Sequence, residues 1–336
     1  MKEDTKRKIP YFLFILSTIV SAIVTLLLKI SPYPVTYLAR SKVKPHARPD
    51  RSYKKNKKRV KVIEDVGYVS IHKFNLLDLY LPKNTQKKQP ILLFIHGGCY
   101  IFGDKSESKY LATTFAAKGY NAVSMNYQIA PEGQYPAPLE QINEVILQLK
   151  KLEEIHPTLD TNNIVLVGDS AGAQLVAQYS ALATNKKYQE FLNIKTIISE
   201  KELKGAMMLC GIFDFDSLFE QITSYEKVYF KVIGWAYTKN RNWYKSDFPS
   251  QVSIYNQISN KFPPSFLTDG NTRTYQKQTT KMIYNLNKNH VPNESLIFSE
   301  GMGTVYHNYF FVQFIPESRI CINRMFQFLE TYAPLK

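Results

Sequence analysis

The stretch IVLVGDSAG, residues 164–172, decides the fold of this 336-residue chain. Four apolar, mostly β-branched residues predict a strand, and a helix-compatible run follows the turn. A Gly-x-Ser-x-Gly turn between a strand and a helix is typical of a nucleophile elbow, whose sharp bend exposes a serine hydroxyl. Gly168 and Gly172 suit that turn because a Cβ at either position would hold strand and helix apart. We therefore predict that Ser170 is a catalytic nucleophile; the competing interpretation is an ordinary turn in a βα unit.

On both sides of this stretch, short apolar runs alternate with segments of helical periodicity. Strands are predicted at residues 60–63, 68–71, 76–81, 91–95, 121–127, 164–167, 206–210, 265–268 and 295–298, and helices at 112–118, 139–152, 173–182 and about 317–330. This alternation predicts an α/β fold with a mostly parallel central sheet and helices on both faces. The aromatic-rich residues 214–262 interrupt it, and they are either ordinary helical packing or a helical cap over the site.

A loop upstream of the serine carries the donors that acyl transfer requires. An acyl-transfer serine needs hydrogen-bond donors aimed at the developing oxyanion. The sequence HGGC, residues 96–99, directly follows a predicted buried strand, and its glycines allow backbone N–H groups to turn toward a substrate. We predict oxyanion donors at Gly97 and Gly98, with Cys99 as a further candidate and the Ala171 N–H beside the nucleophile.

The general base is predicted to be His307, because it is the histidine that follows the last predicted strand. The remaining histidines are predicted to be structural or solvated: His46, His72, His96, His156 and His290. His96 in particular belongs to the glycine loop, where a packing and hydrogen-bonding role is expected.

Three motifs in this order resemble the hormone-sensitive-lipase-like and carboxylesterase branch of the α/β-hydrolase fold. They are HGGCYIFGDK (residues 96–105), NYQIAPEGQYPAPLEQ (126–141) and GDSAG (168–172), and the resemblance covers about residues 60–333. It implies a serine carboxylesterase that acts on esters of modest size through an acyl-enzyme, with a small-molecule or lipid ester as substrate. We expect no metal and no organic cofactor.

The acid of the expected Ser-His-Asp triad has no obvious position. Relatives commonly have an aspartate about three residues after a glycine that follows the strand at 265–268, and in this chain that position is Arg273. Asp269, at the strand end, is the predicted substitute. Asp214, after the preceding strand, is the alternative, and a surface turn is the competing interpretation for either.

The N-terminal residues predict a membrane attachment. Residues 1–8 are a basic tail, and residues 9–30 include twenty consecutive uncharged residues, which span about 30 Å as a helix. We predict an uncleaved transmembrane signal anchor, with a cleaved signal peptide as the alternative. Residues 31–59 are predicted to be a basic, proline-containing tether, and residues 60–336 the α/β-hydrolase domain. An anchor ahead of an esterase favours an extracytoplasmic catalytic domain.

The positive charge of the chain is concentrated in one segment. Residues 40–61 contain eleven Lys or Arg and one Asp, which is +10 of the total +15. Such a block is typical of a solvated tether or of a surface that touches anionic lipid or cell-wall polymer, and we expect no nucleic-acid partner. The three cysteines are widely spaced, which argues against a disulfide framework and a structural zinc site.

These observations favour a membrane-anchored serine hydrolase that cleaves carboxylic esters. Two alternatives stay open: an acyltransferase or deacetylase acting on a cell-surface glycan or lipid, and a non-catalytic binding protein on a hydrolase scaffold. The sequence does not determine the oligomeric state.

Overall fold

A single mixed sheet organises the computed structural model, which describes residues 13–21, 26, 30–42 and 46–336. The strands of its described part are β1 (Val60–Gly67), β2 (Leu76–Pro82), β3 (Gln89–Ile95), β4 (Asn121–Met125), β5 (Leu159–Asp169), β6 (Leu203–Leu209), β7 (Ser265–Asp269) and β8 (Asn293–Ile297). Their order is β1-β2-β4-β3-β5-β6-β7-β8. The β1–β2 and β2–β4 pairs are antiparallel, and the other pairs are parallel.

Helices cover both faces of this sheet. Their bounds are Tyr33–Lys42, Tyr53–Lys58, Lys109–Ala116, Ala137–Ile155, Ala171–Thr184, Lys186–Leu192, Leu218–Gln221, Ser224–Thr238, Phe248–Val252, Gln276–Lys288 and Pro316–Tyr332. On β3, Ile91, Leu93 and Ile95 pack on one side with helices Ala137–Ile155 and Ala171–Thr184. Leu92 and Phe94 pack on the other side with helices Lys109–Ala116 and Pro316–Tyr332. The unbroken apolar run of β3 is therefore buried on both faces, as expected for a central parallel strand.

One predicted strand is wrong. Residues 68–71 form a loop between β1 and β2, because Gly67 already pairs with Leu76 and leaves no partner strand for the residues between them. Val69 and Ile71 are 77% and 91% exposed, whereas the Tyr68 side chain is buried. The branched residues carry β propensity, but a strand also needs a neighbour for its backbone hydrogen bonds.

The segment predicted as a tether contains helices Tyr33–Lys42 and Tyr53–Lys58 and contacts the rest of the fold. Arg40 forms an ion pair with Glu132 at 2.6 Å and donates to the carbonyl oxygens of Ile101 and Ala130. Further along, the Arg48 N–H donates to the Phe311 carbonyl at 2.9 Å. These contacts attach the described part of the segment to the domain surface.

The predicted membrane anchor falls largely outside the described residues. Residues 1–8 lie entirely outside them, and of residues 9–30 only 13–21, 26 and 30 are described. Within the described part of the chain, we find no helix with the length and apolar character needed to cross a bilayer.

Candidate active site

Ser170 lies at a strained bend between β5 and the elbow helix, Ala171–Thr184. Its backbone has φ +53° and ψ −115°, a conformation that L-residues rarely adopt, and it caps the helix N-terminus. The Ser170 N–H donates to the Leu209 carbonyl at 2.8 Å, which ties the bend to β6. Strain of this kind persists only where the surroundings enforce it, and it is concentrated at functional sites.

Two glycines permit this bend. A Cβ on Gly168 would lie 2.3 Å from the Gly172 carbonyl oxygen, and a Cβ on Gly172 would lie 2.0 Å from the Ile95 carbonyl oxygen. Both distances are far below van der Waals contact, so the elbow helix can approach β3 and β5 only with glycine at both positions. We predicted from the Gly-x-Ser-x-Gly pattern that a Cβ at either glycine would hold strand and helix apart, and these distances agree with that prediction.

The glycine loop after β3 lies against the serine, but its donors are not equivalent. The Gly97 N–H donates to Asp169 Oδ1 at 3.0 Å, so this predicted oxyanion donor is already engaged. Gly98 and Cys99 have φ of +93° and +52°, and in the described part of the chain their N–H groups donate no hydrogen bond. The structure thus offers the N–H groups of Gly98 and Cys99, with that of Ala171, as the free donors.

His96 stabilises this loop. Its ring is buried and stacks on Tyr127 with a centroid separation of 4.2 Å, and its Nδ1 donates to the Gly97 carbonyl at 2.9 Å. The Tyr127 hydroxyl donates to the His96 carbonyl at 3.0 Å. Burial lowers the pKa of His96 to about 4, so the ring is neutral at physiological pH. These contacts match the packing role predicted for this residue.

His307 lines the same two cavities as Ser170, described below. Burial, with a smaller contribution from the nearby His46, lowers its pKa to about 4. A neutral imidazole is the form that can accept a proton from a serine. No hydrogen bond joins the two side chains in the described structure, and such contacts commonly tighten only when substrate binds.

Asp269 reaches His307 through a hydroxyl group. The buried Asp269 carboxylate accepts hydrogen bonds from Thr274 and from Thr279, the latter at 2.8 Å. The Thr274 hydroxyl also lies 3.4 Å from His307 Nδ1. Burial raises the pKa of Asp269, and these hydrogen bonds oppose that effect. The structure therefore brings the predicted acid close to the predicted base, with Thr274 between them.

Cys210 adds a third polar atom to this group. The possible ligand atoms of Cys210, Asp269 and His307 lie within 4.8 Å of one another, which is the kind of cluster that can hold a metal ion. Asp269 nevertheless already accepts three hydrogen bonds, including one from the Gly270 N–H. We interpret the cluster as a hydrogen-bonded support for His307.

Asp214, the alternative acid, has other partners. Its carboxylate forms an ion pair with Lys281 at 2.9 Å and accepts the Ser217 hydroxyl at 2.5 Å. Hydrogen bonds from Ser217 and the Lys281 charge lower the pKa of Asp214 despite the opposing effect of burial. It makes no contact with His307 in the described structure.

Two cavities meet at Ser170 and His307. The first, here called the aromatic cavity, has a volume of about 160 Å³. Residues from the predicted cap form one wall of it: Phe215, Phe230, Ile233, Gly234, Tyr237, Trp243, Phe248 and Val252. The second, here called the acidic cavity, has a volume of about 450 Å³ and is lined by Glu107 and Asp169 as well as His46. The serine therefore has room on two sides, as expected for the two arms of an ester.

Three residues of the site were not identified from the sequence. Thr274 contacts both Asp269 and His307, and Asn308 donates to Asp169 Oδ2 at 3.1 Å, which joins the histidine loop to the elbow. His46 comes from the N-terminal segment. Of these three residues, only Asn308 could have been identified from the sequence. It directly follows the predicted base, and asparagine tolerates the left-handed backbone (φ +58°) found there.

The fold and this site define the α/β-hydrolase class. The BD-FAE family model matches residues 77–282, more than half of the chain, and the chain belongs to this family. The α/β-hydrolase resemblance inferred from the three motifs is thereby confirmed.

Individual relatives agree with this assignment. Kynurenine formamidase of Danio rerio is 30% identical over 142 residues, 42% of this chain and 43% of that protein. Acetyl esterase of Salmonella schwarzengrund is 26% identical over 196 residues, 56% of each chain. The matches thus span about half of these curated relatives. Among solved structures, esterase B of Lactobacillus rhamnosis has a TM-score of 0.69 at 17% identity and covers 94% of this chain and 96% of its own. That structural likeness shows the fold alone.

Proposed function

We propose that the chain is a serine carboxylesterase in which Ser170 attacks the ester carbonyl and His307 accepts its proton. The observation that carries this proposal is the strained Ser170 bend, which lies beside free loop N–H groups and shares both cavities with a neutral histidine. The esterase names of several relatives support the same chemistry.

Each step of the reaction has a candidate residue. His307 removes the Ser170 proton as the hydroxyl attacks, and the N–H groups of Gly98, Cys99 and Ala171 donate to the oxyanion. His307 then protonates the leaving alcohol. Water attacks the acyl-enzyme by the reverse route and releases the acid.

Asp269 is proposed as the acid that stabilises the imidazolium, acting through the Thr274 hydroxyl. This arrangement replaces the direct carboxylate–imidazole hydrogen bond of the usual triad. Its support is the chain of contacts from Asp269 to Thr274 to His307.

The size of the aromatic cavity favours short substrates. An apolar cavity of about 150 Å³ holds one benzene molecule, so the aromatic cavity at about 160 Å³ suits a group of about six heavy atoms. We therefore propose an ester with one short arm rather than a long-chain lipid.

Membrane attachment through residues 9–30, with the catalytic domain outside the cytoplasm, is part of the proposal. It rests on the twenty uncharged residues and on the basic segment that follows them. Transfer of the acyl group to a cell-surface glycan or lipid instead of water stays the alternative prediction.

The test uses the full chain in detergent. We expect hydrolysis of 4-nitrophenyl acetate and butyrate and covalent labelling by a fluorophosphonate, both lost in Ser170→Ala. Ser299→Ala is the matched control because this serine is exposed and outside both cavities. Undiminished turnover in folded Ser170→Ala would refute the proposal, and absence of labelling in the unmodified chain would favour the non-catalytic alternative. A comparison of fluorophosphonate labelling in intact and in permeabilised cells shows on which side of the membrane the catalytic domain lies.

A further inference from the structure

The loop after β7 places a cation beside the proposed nucleophile and base. Arg273 lines the aromatic cavity together with Ser170 and His307. Its backbone φ is +50°, in the left-handed region that disfavours a residue with a Cβ. Arginine in such a position needs an explanation, because asparagine or glycine would adopt the same backbone at lower cost.

The backbone around Arg273 is held in place from both sides. The N–H groups of Asn271 and Thr272 both donate to the Val305 carbonyl, at 2.9 and 3.0 Å. On the other side, Gln276 Nε2 donates to the carbonyls of Gly270 and Phe298, each at 2.7 Å. The loop is thus fixed against the strand ends and the histidine loop, so the position of the Arg273 backbone relative to the site is defined.

The Arg273 guanidinium group is unpaired within the part of the chain that the structure describes. Among the described residues, none forms an ion pair or a hydrogen bond with the Arg273 side chain. Arg273 is exposed and contributes to the lining of the aromatic cavity. The five N–H donors of its planar guanidinium are therefore available to a ligand in that cavity.

The two cavities differ in charge. No carboxylate lines the aromatic cavity within the described structure, where Arg273 is the charged side chain. The acidic cavity instead contains Glu107 and Asp169. An anionic group on a substrate is therefore attracted toward the aromatic cavity, where Arg273 supplies a positive charge.

We propose that Arg273 is a specificity-determining residue that binds a carboxylate on the substrate arm occupying the aromatic cavity. The substrate class is then an ester in which a short chain or a ring ends in a carboxylate. The guanidinium forms paired N–H···O hydrogen bonds with that carboxylate, a geometry for which arginine is well suited. This inference rests on the proposed esterase function and deepens it by naming the substrate class.

The test compares ester pairs that differ only in the carboxylate. The acyl-side pair is the mono-4-nitrophenyl ester of adipic acid and 4-nitrophenyl hexanoate. The alcohol-side pair is 4-carboxyphenyl butyrate and phenyl butyrate. We expect kcat/KM to favour the carboxylate member of one pair by about ten-fold or more, which corresponds to one charge-assisted hydrogen bond. The preference should be lost in Arg273→Gln and partly retained in Arg273→Lys.

Lys277→Gln is the matched control, because it removes the same charge from a side chain four residues away. Lys277 is exposed and lies outside both cavities. Lys277→Gln should leave the preference, which is the ratio of kcat/KM within a pair, unchanged. A preference that persists in Arg273→Gln, or no preference in either pair, overturns the inference about Arg273. If the chain still hydrolyses the neutral esters in that case, the esterase proposal stands. Failure to hydrolyse any ester, with no fluorophosphonate labelling, refutes the esterase proposal itself.

Discussion

Replacing Asp269 with asparagine tests the assignment of the triad acid. Asparagine keeps an oxygen for the Gly270 N–H and the Thr274 hydroxyl, and the Thr279 hydroxyl can rotate to accept from the new amide. The fold should therefore survive with a loss of about 1 kcal/mol in the free energy of unfolding. Alanine would instead leave three buried donors without an acceptor.

The kinetic loss follows from the distance between the charges. A carboxylate oxygen of Asp269 lies within 4.8 Å of a His307 ring nitrogen. At an effective dielectric constant of about 20, unit charges at that distance interact with about 3.5 kcal/mol. If this attraction stabilises the imidazolium only in the transition state, Asp269→Asn should lower kcat about 350-fold.

The assay is hydrolysis of 4-nitrophenyl butyrate between pH 6 and 9, with thermal unfolding as the check on folding. Asp214→Asn is the matched control, since Asp214 pairs with Lys281 and does not contact His307. We expect it to change kcat less than about three-fold, because loss of a distant charge leaves the imidazolium untouched. A larger loss of kcat in folded Asp214→Asn than in folded Asp269→Asn would refute our assignment of the acid.

Four further outcomes test the rest of the site. Thr274→Val should lower kcat about ten-fold through loss of the bridging hydroxyl, and an unchanged kcat would mean that Asp269 acts directly. Gly97→Ala should abolish fluorophosphonate labelling, because its Cβ would lie 2.4 Å from Asp169 Oδ2. Gly301→Ala is the control and should label normally, because a Cβ at that position has no atom within 4 Å. His307 must be neutral to act as base, and its pKa is lowered to about 4. We therefore expect kcat/KM to rise through pH 4 and to be level by pH 6, and a rise centred near 6.5 would contradict the lowered pKa. Across 4-nitrophenyl esters, kcat/KM should fall beyond about six acyl carbons, and equal rates for butyrate and laurate would show that the aromatic cavity does not hold the acyl chain.

The N-terminal segment illustrates a limit of composition-based reasoning. Its basic and proline-rich sequence predicts a solvated tether, yet Arg40 and Arg48 bind the domain and His46 lines the acidic cavity. Composition reports how many charges a segment has, but not whether the partners, such as Glu132 and the Phe311 carbonyl, lie within reach.

The sequence by itself determined the elements whose physical causes are local. Apolar runs placed the strands, and the glycines at 168 and 172 permitted a tight bend at Ser170. His307 was identified because chain order along a parallel sheet places successive loops at the same edge.

Only the tertiary structure decided which groups of the site form hydrogen bonds or ion pairs with one another, because these interactions depend on distance. It showed that the Gly97 N–H is engaged by Asp169, that Asp214 pairs with Lys281, and that Thr274 lies between Asp269 and His307. The same fold places Arg273 in the aromatic cavity. Hydrogen bonds act over about 3 Å, and residues tens of positions apart reach that separation only through the packing of the whole chain.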